Sequence, residues 1–368
     1  MLKDQVVRVV GTMSGTSLDG VDAAEIVTDG HAIFEFGNSV FRPYTKSQVA
    51  VLYAALGKWP DDDVADACEL IESVHAEVLS VFSDVDLIGF HGQTLAHDPK
   101  KRGTYQAGDG SILSNILGKN VVWDFRSADV LMGGEGAPLA PFYHFALAKK
   151  MNATDPIAIL NLGGVGNITW INPSLPLPQS DGALLAFDTG PANAPINDLI
   201  LARLGKPYDL DGKIAAKGLV NQEIVDQFLQ HPFFFRKPPK SLDRDAFEGL
   251  SNAVTGLSDA DATATLTMAC AASVVLGLQA CPSPPSRLLV TGGGRRNPTL
   301  MGMIVDACSI PVVLIEEAGF DGDMLEAQAF AYLAVRVAKG LPTSASGTTG
   351  VRAATCGGTV SQPADKYR

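Results

Sequence analysis

Apolar and β-branched residues gather in short runs along this chain, separated by glycine and small polar residues. Runs at 6–10 and 23–27 predict two β-strands, and runs at 157–162 and 167–171 predict two more. A glycine-rich turn connects the members of each pair, so each pair is predicted to form a hairpin with a tip of small residues. The pattern therefore predicts two α/β halves, each opening with a glycine-tipped hairpin.

Helical spacing of apolar residues follows these strands. An amphipathic helix is predicted from 64 to 82 and another helix from 324 to 338. A third segment, 262–281, carries no charge and imitates a membrane span. Ala, Thr, Ser and Gln dilute its hydrophobicity, and Asp259 and Asp261 precede it as helix N-terminal acids. We therefore predict a buried interior helix.

Further strands are predicted at 85–90, 120–123 and 183–187, each followed by polar residues. The carboxyl ends of strands in α/β sheets are the usual place of ligand binding. Asp188 follows the last of these strands beside a Gly-Pro turn, where its surroundings could tune its pKa for a general base. The alternative is that Asp188 caps the helix predicted at 196–204.

His91 and Arg126 follow the other two strands, in predicted loops. We expect His91 to contact a substrate, because its spacing from His97 is weak for a metal pair. Arg126 could clamp a phosphate or carboxylate with its planar, permanently charged guanidinium. It could equally form a surface ion pair with Asp124 or Asp129, and the sequence leaves both readings open.

Glycine-rich turns allow backbone N–H groups to approach phosphates closely. The first turn also carries Asp19 and Asp22, which would repel a bare phosphate but would suit a Mg²⁺ ion between carboxylates and phosphates. Three glycines at 292–294 precede a helix, whose N-terminus favours an anion. The alternative for the first turn is a tight hairpin that needs glycine only for its backbone.

The composition limits the classes of partner. A chain of 368 residues, 46% hydrophobic and 18% charged, predicts two domains of an ordinary soluble protein. The net charge of −12 argues against a nucleic acid or an anionic membrane as partner. Five scattered cysteines predict reduced thiols, and the first residues lack a signal-peptide pattern, so we expect a cytoplasmic location. The P-loop and G-x-G-x-x-G patterns are both absent from the sequence.

Motifs distributed along the whole chain make it resemble the 1,6-anhydro-N-acetylmuramic acid kinase family. They are MSGTSLDGVD (13–22), HGQT (91–94), DFR (124–126), GEGAPL (134–139), NLGG (161–164), FDTGP (187–191), PPKS (238–241) and GGGRRNP (292–298). So many motifs in this order are highly specific. One departure is Ala192, where the family more often has glycine.

The resemblance implies an α/β, actin-like ATPase fold, shared by sugar kinases, Hsp70 and actin, with two ribonuclease-H-like domains around a nucleotide cleft. We expect the first domain at 1–134, completed by the tail 353–368, and the second at 135–352, because 132–138 is a glycine-rich crossing. The resemblance also implies a homodimer acting on small molecules.

Family members open the 1,6-anhydro ring of the sugar with water and phosphorylate O6 with ATP and Mg²⁺, giving N-acetylmuramic acid 6-phosphate and ADP in cell-wall recycling. By this resemblance Asp188 would be the general base, and Asp19 and Asp22 would face Mg²⁺. The residues expected to bind the sugar are His91, Arg126, Glu326 and Asn193. Those expected to bind ATP are Gly15, Thr16, Ser17, Leu18, Asp19, Gly20, Val21, Asp22, Gly163, Gly164, Gly292, Gly293 and Gly294.

Two other functions stay open at this point. A kinase of another amino sugar on the same fold would phosphorylate a free hydroxyl and would need no water nucleophile. An actin- or Hsp70-like ATPase would use its cleft to drive polymerisation or partner binding, although we expect no peptide-binding domain. For Glu326, the alternative to sugar binding is a favourable interaction with the dipole of its helix.

Overall fold

The computed structural model describes residues 5–242 and 247–364. Its strands are β1 (Val7–Ser14), β2 (Gly20–Thr28), β3 (Ile33–Pro43), β4 (Leu87–Asp98), β5 (Gly103–Ala107), β6 (Asn120–Trp123), β7 (Ile157–Leu162), β8 (Val165–Ile171), β9 (Leu184–Pro191), β10 (Leu288–Thr291), β11 (Val312–Leu314) and β12 (Thr359–Ser361). Its α-helices are α1 (Lys46–Ala55), α2 (Ala65–Leu79), α3 (Gly110–Leu117), α4 (Ser127–Leu131), α5 (Pro141–Lys150), α6 (Asn193–Leu204), α7 (Gln222–Phe228), α8 (Glu248–Ala253), α9 (Asp259–Gln279), α10 (Pro298–Ala307), α11 (Leu325–Ala338) and α12 (Ser346–Thr349). Short 3₁₀ helices lie at Leu210–Gly212, Ala215–Lys217, Pro232–Phe235, Gly293–Arg296 and Ile315–Ala318.

The chain divides into two compact units. The first consists of Met1–Asn152, Leu177–Gln179 and Met324–Arg368, and the second of Ala153–Pro176 and Ser180–Asp323.

These boundaries differ from the domains expected at 1–134 and 135–352, because α5 and the stretch from α11 onward belong to the first unit. The apolar helix α11 packs on β1, β2 and β4, and α5 packs on α11 and β3, so both complete the first core. In the expected tail 353–368, β12 pairs antiparallel with β6, and residues 365–368 lie outside the described residues.

Each unit contains one sheet, and the two sheets share a strand order. In the first the order is β12-β6-β4-β1-β2-β3, with β5 paired to the second half of β4. In the second the order is β11-β10-β7-β8-β9. Three antiparallel strands followed by two parallel ones occur in both, as β3-β2-β1-β4-β6 and as β9-β8-β7-β10-β11. This repetition is the ribonuclease-H-like arrangement of an actin-like fold, and the predicted α/β fold class is confirmed.

Helix α11 lies unusually close to the first sheet. A Cβ atom on Gly11 of β1 would lie 2.1 Å from the Ala327 carbonyl oxygen, and one on Gly89 of β4 would lie 2.4 Å from the Phe330 carbonyl oxygen. Both distances are too short for non-bonded atoms, so any other residue at either position would push the helix away. Glycine at these two sites therefore sets the spacing between helix and sheet.

Helix α9 is the interior helix predicted from the uncharged run. Among the described residues it is the one helix long and apolar enough to cross a membrane, and 67% of its apolar window is buried. It packs against β9, α6 and α10 in the second core. The hydroxyls of Thr263, Thr265 and Thr267 each donate to the carbonyl oxygen four residues earlier, which satisfies them without water. The burial is that of a core helix.

Two strands are longer than predicted, and this changes where site residues stand. Residues 91–94, expected in a loop, lie inside β4, because β5 supplies hydrogen-bonding partners to its second half. Asp188, expected after a strand, lies inside β9, which continues to Pro191 against β8. Both expected positions were wrong, since the pairing partner of a strand decides its length and that partner is remote in sequence.

Substituting Gly11 tests the close approach of α11. We expect Gly11→Ala to lower the free energy of unfolding by about 3 kcal/mol, because its Cβ meets helix backbone that cannot rotate away. Gly302→Ala is the matched control: it lies exposed in α10 with no atom near its Cβ, and should raise stability by about 0.5–1 kcal/mol. Urea unfolding followed by circular dichroism gives both values, and a Gly11→Ala protein as stable as wild type would contradict the packing.

Candidate functional site

The predicted phosphate-binding turn lies between β1 and β2, with Gly20, Val21 and Asp22 already inside β2. Its backbone is closed by the Leu18 N–H, which donates to the Gly15 carbonyl at 3.1 Å. The Tyr44 N–H donates to the Asp19 carbonyl at 3.0 Å and attaches the turn to the end of β3. Thr16, Ser17 and Asp19 are exposed. The tip therefore presents small polar residues to solvent on a fixed backbone.

Buried side chains form a hydrogen-bond network that ends on the backbone of this turn. The Ser14 hydroxyl is hydrogen-bonded to the Tyr44 hydroxyl at 2.8 Å and donates to Gln93 Oε1 at 2.5 Å. Gln93 Nε2 in turn donates to the Gly15 carbonyl at 3.2 Å. Burial raises the pKa of Tyr44 to about 12, so its phenol stays a neutral hydrogen-bonding group. The HGQT motif thus reaches the first turn through Gln93, a connection that the sequence did not indicate.

The first turn offers oxygen donors that suit Mg²⁺. Asp19 accepts a hydrogen bond from the Ser17 hydroxyl at 2.9 Å, and Asp22 lies three positions further along the chain. Within the described residues, no cluster of three or more His, Cys, Asp or Glu side chains could hold a metal ion. Mg²⁺ commonly uses one or two carboxylates together with substrate phosphates, so these aspartates fit an ion shared with a nucleotide.

Arg126 is held by uncharged partners in the first unit. Its Nε donates to His91 Nε2 at 3.0 Å, and its Nη1 donates to the Gly136 carbonyl at 2.8 Å. The guanidinium carbon lies 5.7 Å from the centre of the Phe330 ring. Burial lowers the pKa of Arg126 to about 10, although nearby Glu326 raises it. Neither Asp124 nor Asp129 forms an ion pair with it among the described residues, so the surface ion-pair alternative is wrong.

His91 acts as the acceptor for Arg126. Burial, and secondarily the charge of Arg126, hold the pKa of His91 well below its usual value, so the ring is neutral. Its Nδ1 lies 2.8 Å from the Gly92 carbonyl and its ring centre lies 4.4 Å from that of Phe330. The neutral tautomer that fits carries hydrogen on Nδ1 and leaves Nε2 to accept. Both ring nitrogens therefore have protein partners, and orientation of Arg126 is the role that this geometry supports.

Glu326 lies in the first turn of α11, one helical turn before Phe330, and its side chain is accessible to solvent. Neighbouring protein atoms displace part of the water around the carboxylate and so raise the pKa of Glu326; the charge of Arg126 lowers it, and the charge of Asp19 raises it. The three charged groups therefore share one region of the first unit, which contains the predicted phosphate-binding turn and two of the four residues expected to bind the sugar.

Asp188 lies on the edge strand of the second sheet, where the pairing between β8 and β9 is irregular. Its backbone N–H donates to the Lys240 carbonyl at 2.9 Å, and the Leu242 N–H donates to its Oδ2 at 2.7 Å. Burial raises the pKa of Asp188 to about 6, against the lowering effects of the Leu242 hydrogen bond and the Lys240 charge. Ala192, not Asp188, occupies the N-cap position of α6, so the capping alternative is wrong.

Asn193 stabilises the second glycine turn, Gly163 and Gly164 between β7 and β8. Its Nδ2 donates to the carbonyl oxygens of Leu162 and Gly163, each at 2.9 Å, and its backbone N–H also donates to Gly163. The N–H of Ala192 donates to the Gly164 carbonyl at 3.0 Å. The φ of Ala192 is −129°, which is not the left-handed backbone conformation that favours glycine.

The second glycine turn packs closely against the third, Gly292–Gly294, within the second unit. A Cβ on Gly292 would lie 2.2 Å from Asn161 Oδ1, and one on Gly294 would lie 2.7 Å from Leu162 Cβ. Gly292 has a φ of 79°, a left-handed value that favours glycine. Gly163, Gly164 and Gly292–Gly294 therefore form one region of bare backbone beside Asn193.

Arg295, the residue after the three glycines at 292–294, fixes this third turn. It is buried, its Nη1 donates to the Gly292 carbonyl at 3.0 Å, and its Nε donates to Glu316 Oε1 at 2.8 Å. Its Nη2 donates to Asp323 Oδ1 at 2.9 Å. Because two carboxylates already engage its charge, Arg295 is a support for the turn and not a free phosphate ligand.

Comparison with known proteins gives a consistent picture. A family model described as anhydro-N-acetylmuramic acid kinase matches residues 7–363. A protein of Cereibacter sphaeroides with that name is 60% identical over 364 residues, which cover 99% of this chain and 98% of its own. One from Ruegeria is 58% identical over 361 residues, covering 98% and 96%. A solved structure of the 2-hydroxyisocaproyl-CoA dehydratase activator from Clostridium difficile is 11% identical with a TM-score of 0.46, covering 90% of this chain and 96% of its own, a level that supports no conclusion.

The raised pKa of Asp188 predicts a stability change in Asp188→Asn. The folded protein binds this proton more tightly than the unfolded chain, whose ordinary pKa is 3.8. The wild type therefore loses stability as the pH rises from 3.8 through about 6, whereas asparagine does not titrate. We expect Asp188→Asn to become the more stable protein above pH 6, by up to about 3 kcal/mol.

Urea unfolding of both proteins between about pH 5 and pH 8 measures this difference. Asp181→Asn, an exposed aspartate before the same strand, is the matched control and should show no such growing difference. An Asp188→Asn protein that is less stable than wild type at every pH would show that the carboxylate stabilises the fold.

Proposed function

The chain belongs to the anhydro-N-acetylmuramic acid kinase family, and on this basis we propose that it opens the 1,6-anhydro ring of 1,6-anhydro-N-acetylmuramic acid with water and phosphorylates O6 with ATP. The products are N-acetylmuramic acid 6-phosphate and ADP, and the role is cell-wall recycling in the cytoplasm, with the enzyme acting as a homodimer. The observation that carries this proposal is the Asp188 carboxylate, half-buried on an edge strand with its pKa raised to about 6.

Asp188 has the properties of a general base. A carboxylate with a pKa of about 6 is largely ionised at neutral pH, and it is a stronger base than an ordinary aspartate. The hydrogen bond from Leu242 to Oδ2 fixes the orientation of the carboxylate, and the bond from the Asp188 N–H to Lys240 fixes its backbone. An oriented, moderately basic carboxylate is what removal of a proton from water requires.

The proposed reaction balances in two steps. As Asp188 takes a proton from water, the water oxygen bonds to C1 of the sugar and the C1–O6 bond breaks. The released O6 then bonds to the γ-phosphorus of ATP, and the bond between that phosphorus and the bridging oxygen breaks to release ADP. Positioning and charge neutralisation supply most of the acceleration of such a transfer.

Arg126 and Glu326 are the residues of the first unit that we propose for the sugar. Muramic acid carries a carboxylate, and a guanidinium held at Nε and Nη1 is oriented in advance to pair with one. Glu326 is accessible and can accept hydrogen bonds from sugar hydroxyls. His91 serves this site by holding Arg126, whereas Asn193 remains a predicted sugar contact whose amide nitrogen is engaged by backbone carbonyls.

We propose that the three glycine-rich turns bind ATP. The Gly15–Asp22 turn would hold the phosphates through backbone N–H groups and hydroxyls, and the glycines at 163–164 and 292–294 would lie against the nucleotide. Asp19 and Asp22 would hold Mg²⁺, which when bound neutralises phosphate charge. The supports beneath these turns, Gln93 and Arg295, keep the backbone rigid enough for such contacts.

Product analysis tests the proposal directly. With MgATP, we expect ADP release and a 6-phosphorylated product from 1,6-anhydro-N-acetylmuramic acid, and none from N-acetylmuramic acid or N-acetylglucosamine. In water labelled with ¹⁸O, the label should enter at C1, because water and not O6 forms the new bond there. We expect Asp188→Asn to lower the rate by about 10²–10⁴-fold, with Asp181→Asn unchanged.

Turnover of an ordinary amino sugar would favour the broader amino-sugar kinase and contradict the ring-opening step. ATP hydrolysis that needs no sugar, together with concentration-dependent assembly, would favour an actin- or Hsp70-like ATPase.

The pH dependence of the reaction is a separate prediction. Because the base must be ionised, kcat/KM for the anhydro sugar should fall about tenfold for each pH unit below about 6 and level off above it. His91 should contribute no inflection near neutrality, since its pKa lies well below the usual value. A rate that does not change between pH 5 and pH 7 would exclude Asp188 as the base.

A further inference from the structure

The buried carboxylate of Asp129 organises the surroundings of Arg126 without touching it. Asp129 lies in α4, directly after Arg126, and is only 1% exposed. Its Oδ1 accepts from the Gly136 N–H at 2.7 Å, and its Oδ2 accepts from the Ser344 hydroxyl at 2.5 Å and the Thr349 hydroxyl at 2.6 Å. These three bonds satisfy the carboxylate with neutral donors in place of a cation.

Gly136 connects this carboxylate to the arginine. Its N–H donates to Asp129 and its carbonyl accepts from Arg126 Nη1 at 2.8 Å, so one peptide segment is held on both sides. A Cβ on Gly134 would lie 2.1 Å from Asp129 Oδ1, and one on Gly136 would lie 2.7 Å from Val130, so the turn wraps tightly around the carboxylate. The direction of the Gly136 carbonyl, and with it the position of the guanidinium, follows from Asp129.

The two hydroxyls come from the Ser/Thr-rich segment near the end of the chain. Ser344 is fixed by backbone bonds with Thr355 in both directions, at 3.2 and 3.0 Å. The Thr349 carbonyl accepts from the Glu135 N–H at 2.8 Å, beside Gly136. A segment remote in sequence is therefore attached to the turn that holds Arg126 by both side chain and backbone.

We propose that Ser344 and Thr349 are positioning residues for the sugar site, acting through Asp129 and Gly136 on Arg126. Their hydroxyls occupy Oδ2 of a buried anion that also interacts electrostatically with the guanidinium of Arg126, three residues earlier in sequence. With the hydroxyls present, the arginine stays on the Gly136 carbonyl and His91, directed toward substrate. The inference rests on the proposed function, because it assumes that Arg126 binds the anhydro sugar.

Kinetics of hydroxyl-deletion variants in the full-length enzyme test this inference. We expect the double variant Ser344→Ala/Thr349→Val to raise KM for 1,6-anhydro-N-acetylmuramic acid on the order of tenfold to a hundredfold, because an arginine misplaced by about 1 Å loses its contacts. KM for ATP should stay within about twofold of wild type, because the hydroxyls act on Arg126, which is proposed for the sugar and not for ATP. Thr349→Ser keeps the hydroxyl and should restore the wild-type KM for the sugar.

Thr343→Val is the matched control. Thr343 is buried in the same segment, and its hydroxyl accepts from the Gly357 N–H at 3.0 Å and donates to the Thr355 carbonyl at 3.3 Å; among the described residues, the hydroxyls that donate to Asp129 are those of Ser344 and Thr349. This variant should lose stability comparably to Thr349→Val and leave KM for the sugar unchanged. Equal effects of the two threonine variants on KM would show a purely structural role and overturn the inference.

Arg126→Lys separates this inference from the proposed function. If Arg126→Lys raises KM for the sugar and the double variant does not, the positioning role is wrong and the proposed function stands. If wild-type enzyme does not consume the anhydro sugar at all, both are overturned.

Calorimetric titration of the sugar without ATP gives a second test. The double variant should bind the sugar more weakly than wild type and Thr343→Val, and equal affinities of wild type and double variant would again refute the positioning role.

Discussion

The close contact between α11 and the first sheet is the constraint on which the first unit's site depends. Gly11 and Gly89 remove the side chains that would hold this helix away, so its backbone rests directly on β1 and β4. That spacing places Phe330 against the ring of His91 and over the guanidinium of Arg126. Glu326 lies one turn earlier on the same helix. A helix moved outward by a single methyl group would shift all of these contacts together, because protein cores are close-packed and transmit such displacements.

The charged residues proposed for the sugar site and for catalysis, Arg126 and Asp188, and the carboxylate of Asp129 are held mainly by neutral partners. Arg126 is bound by a neutral imidazole and a carbonyl oxygen, and Asp129 is satisfied by one N–H and two hydroxyls. Asp188 accepts the backbone N–H of Leu242, and its pKa is raised because partial burial removes water from its carboxylate. Charges engaged in this way keep their capacity to interact with a ligand, whereas Arg295, paired with two carboxylates, is committed to support. Charged residues with neutral partners are therefore suited to ligand binding or chemistry, whereas a charged residue in ion pairs, such as Arg295, is suited to holding the backbone in place.

Each unit repeats one architecture and uses it differently. Both contain three antiparallel strands followed by two parallel ones, and in both the first two strands meet at a glycine-rich turn. In the first unit the turn is supported by Gln93 from β4, and in the second it is supported by Asn193 from α6. The polar group under each turn donates an amide N–H to a backbone carbonyl, which fixes the turn while leaving its own N–H groups available. Repetition of backbone geometry has therefore not required repetition of side chains.

Local pattern was enough to determine the elements and the membership of the family. Alternating apolar runs located most strands, the uncharged segment was rightly predicted as the interior helix α9, and ordered motifs gave the fold and named Asp188, Arg126 and Glu326 as candidates. What the sequence could not determine were interactions between remote segments. β5 pairs with β4 from Gln93 to Asp98, and the Ser/Thr-rich segment near the end of the chain donates two hydroxyls to Asp129. Strand length, the partner of a buried charge and the resulting pKa depend on which residues folding brings together, and no local spacing encodes that.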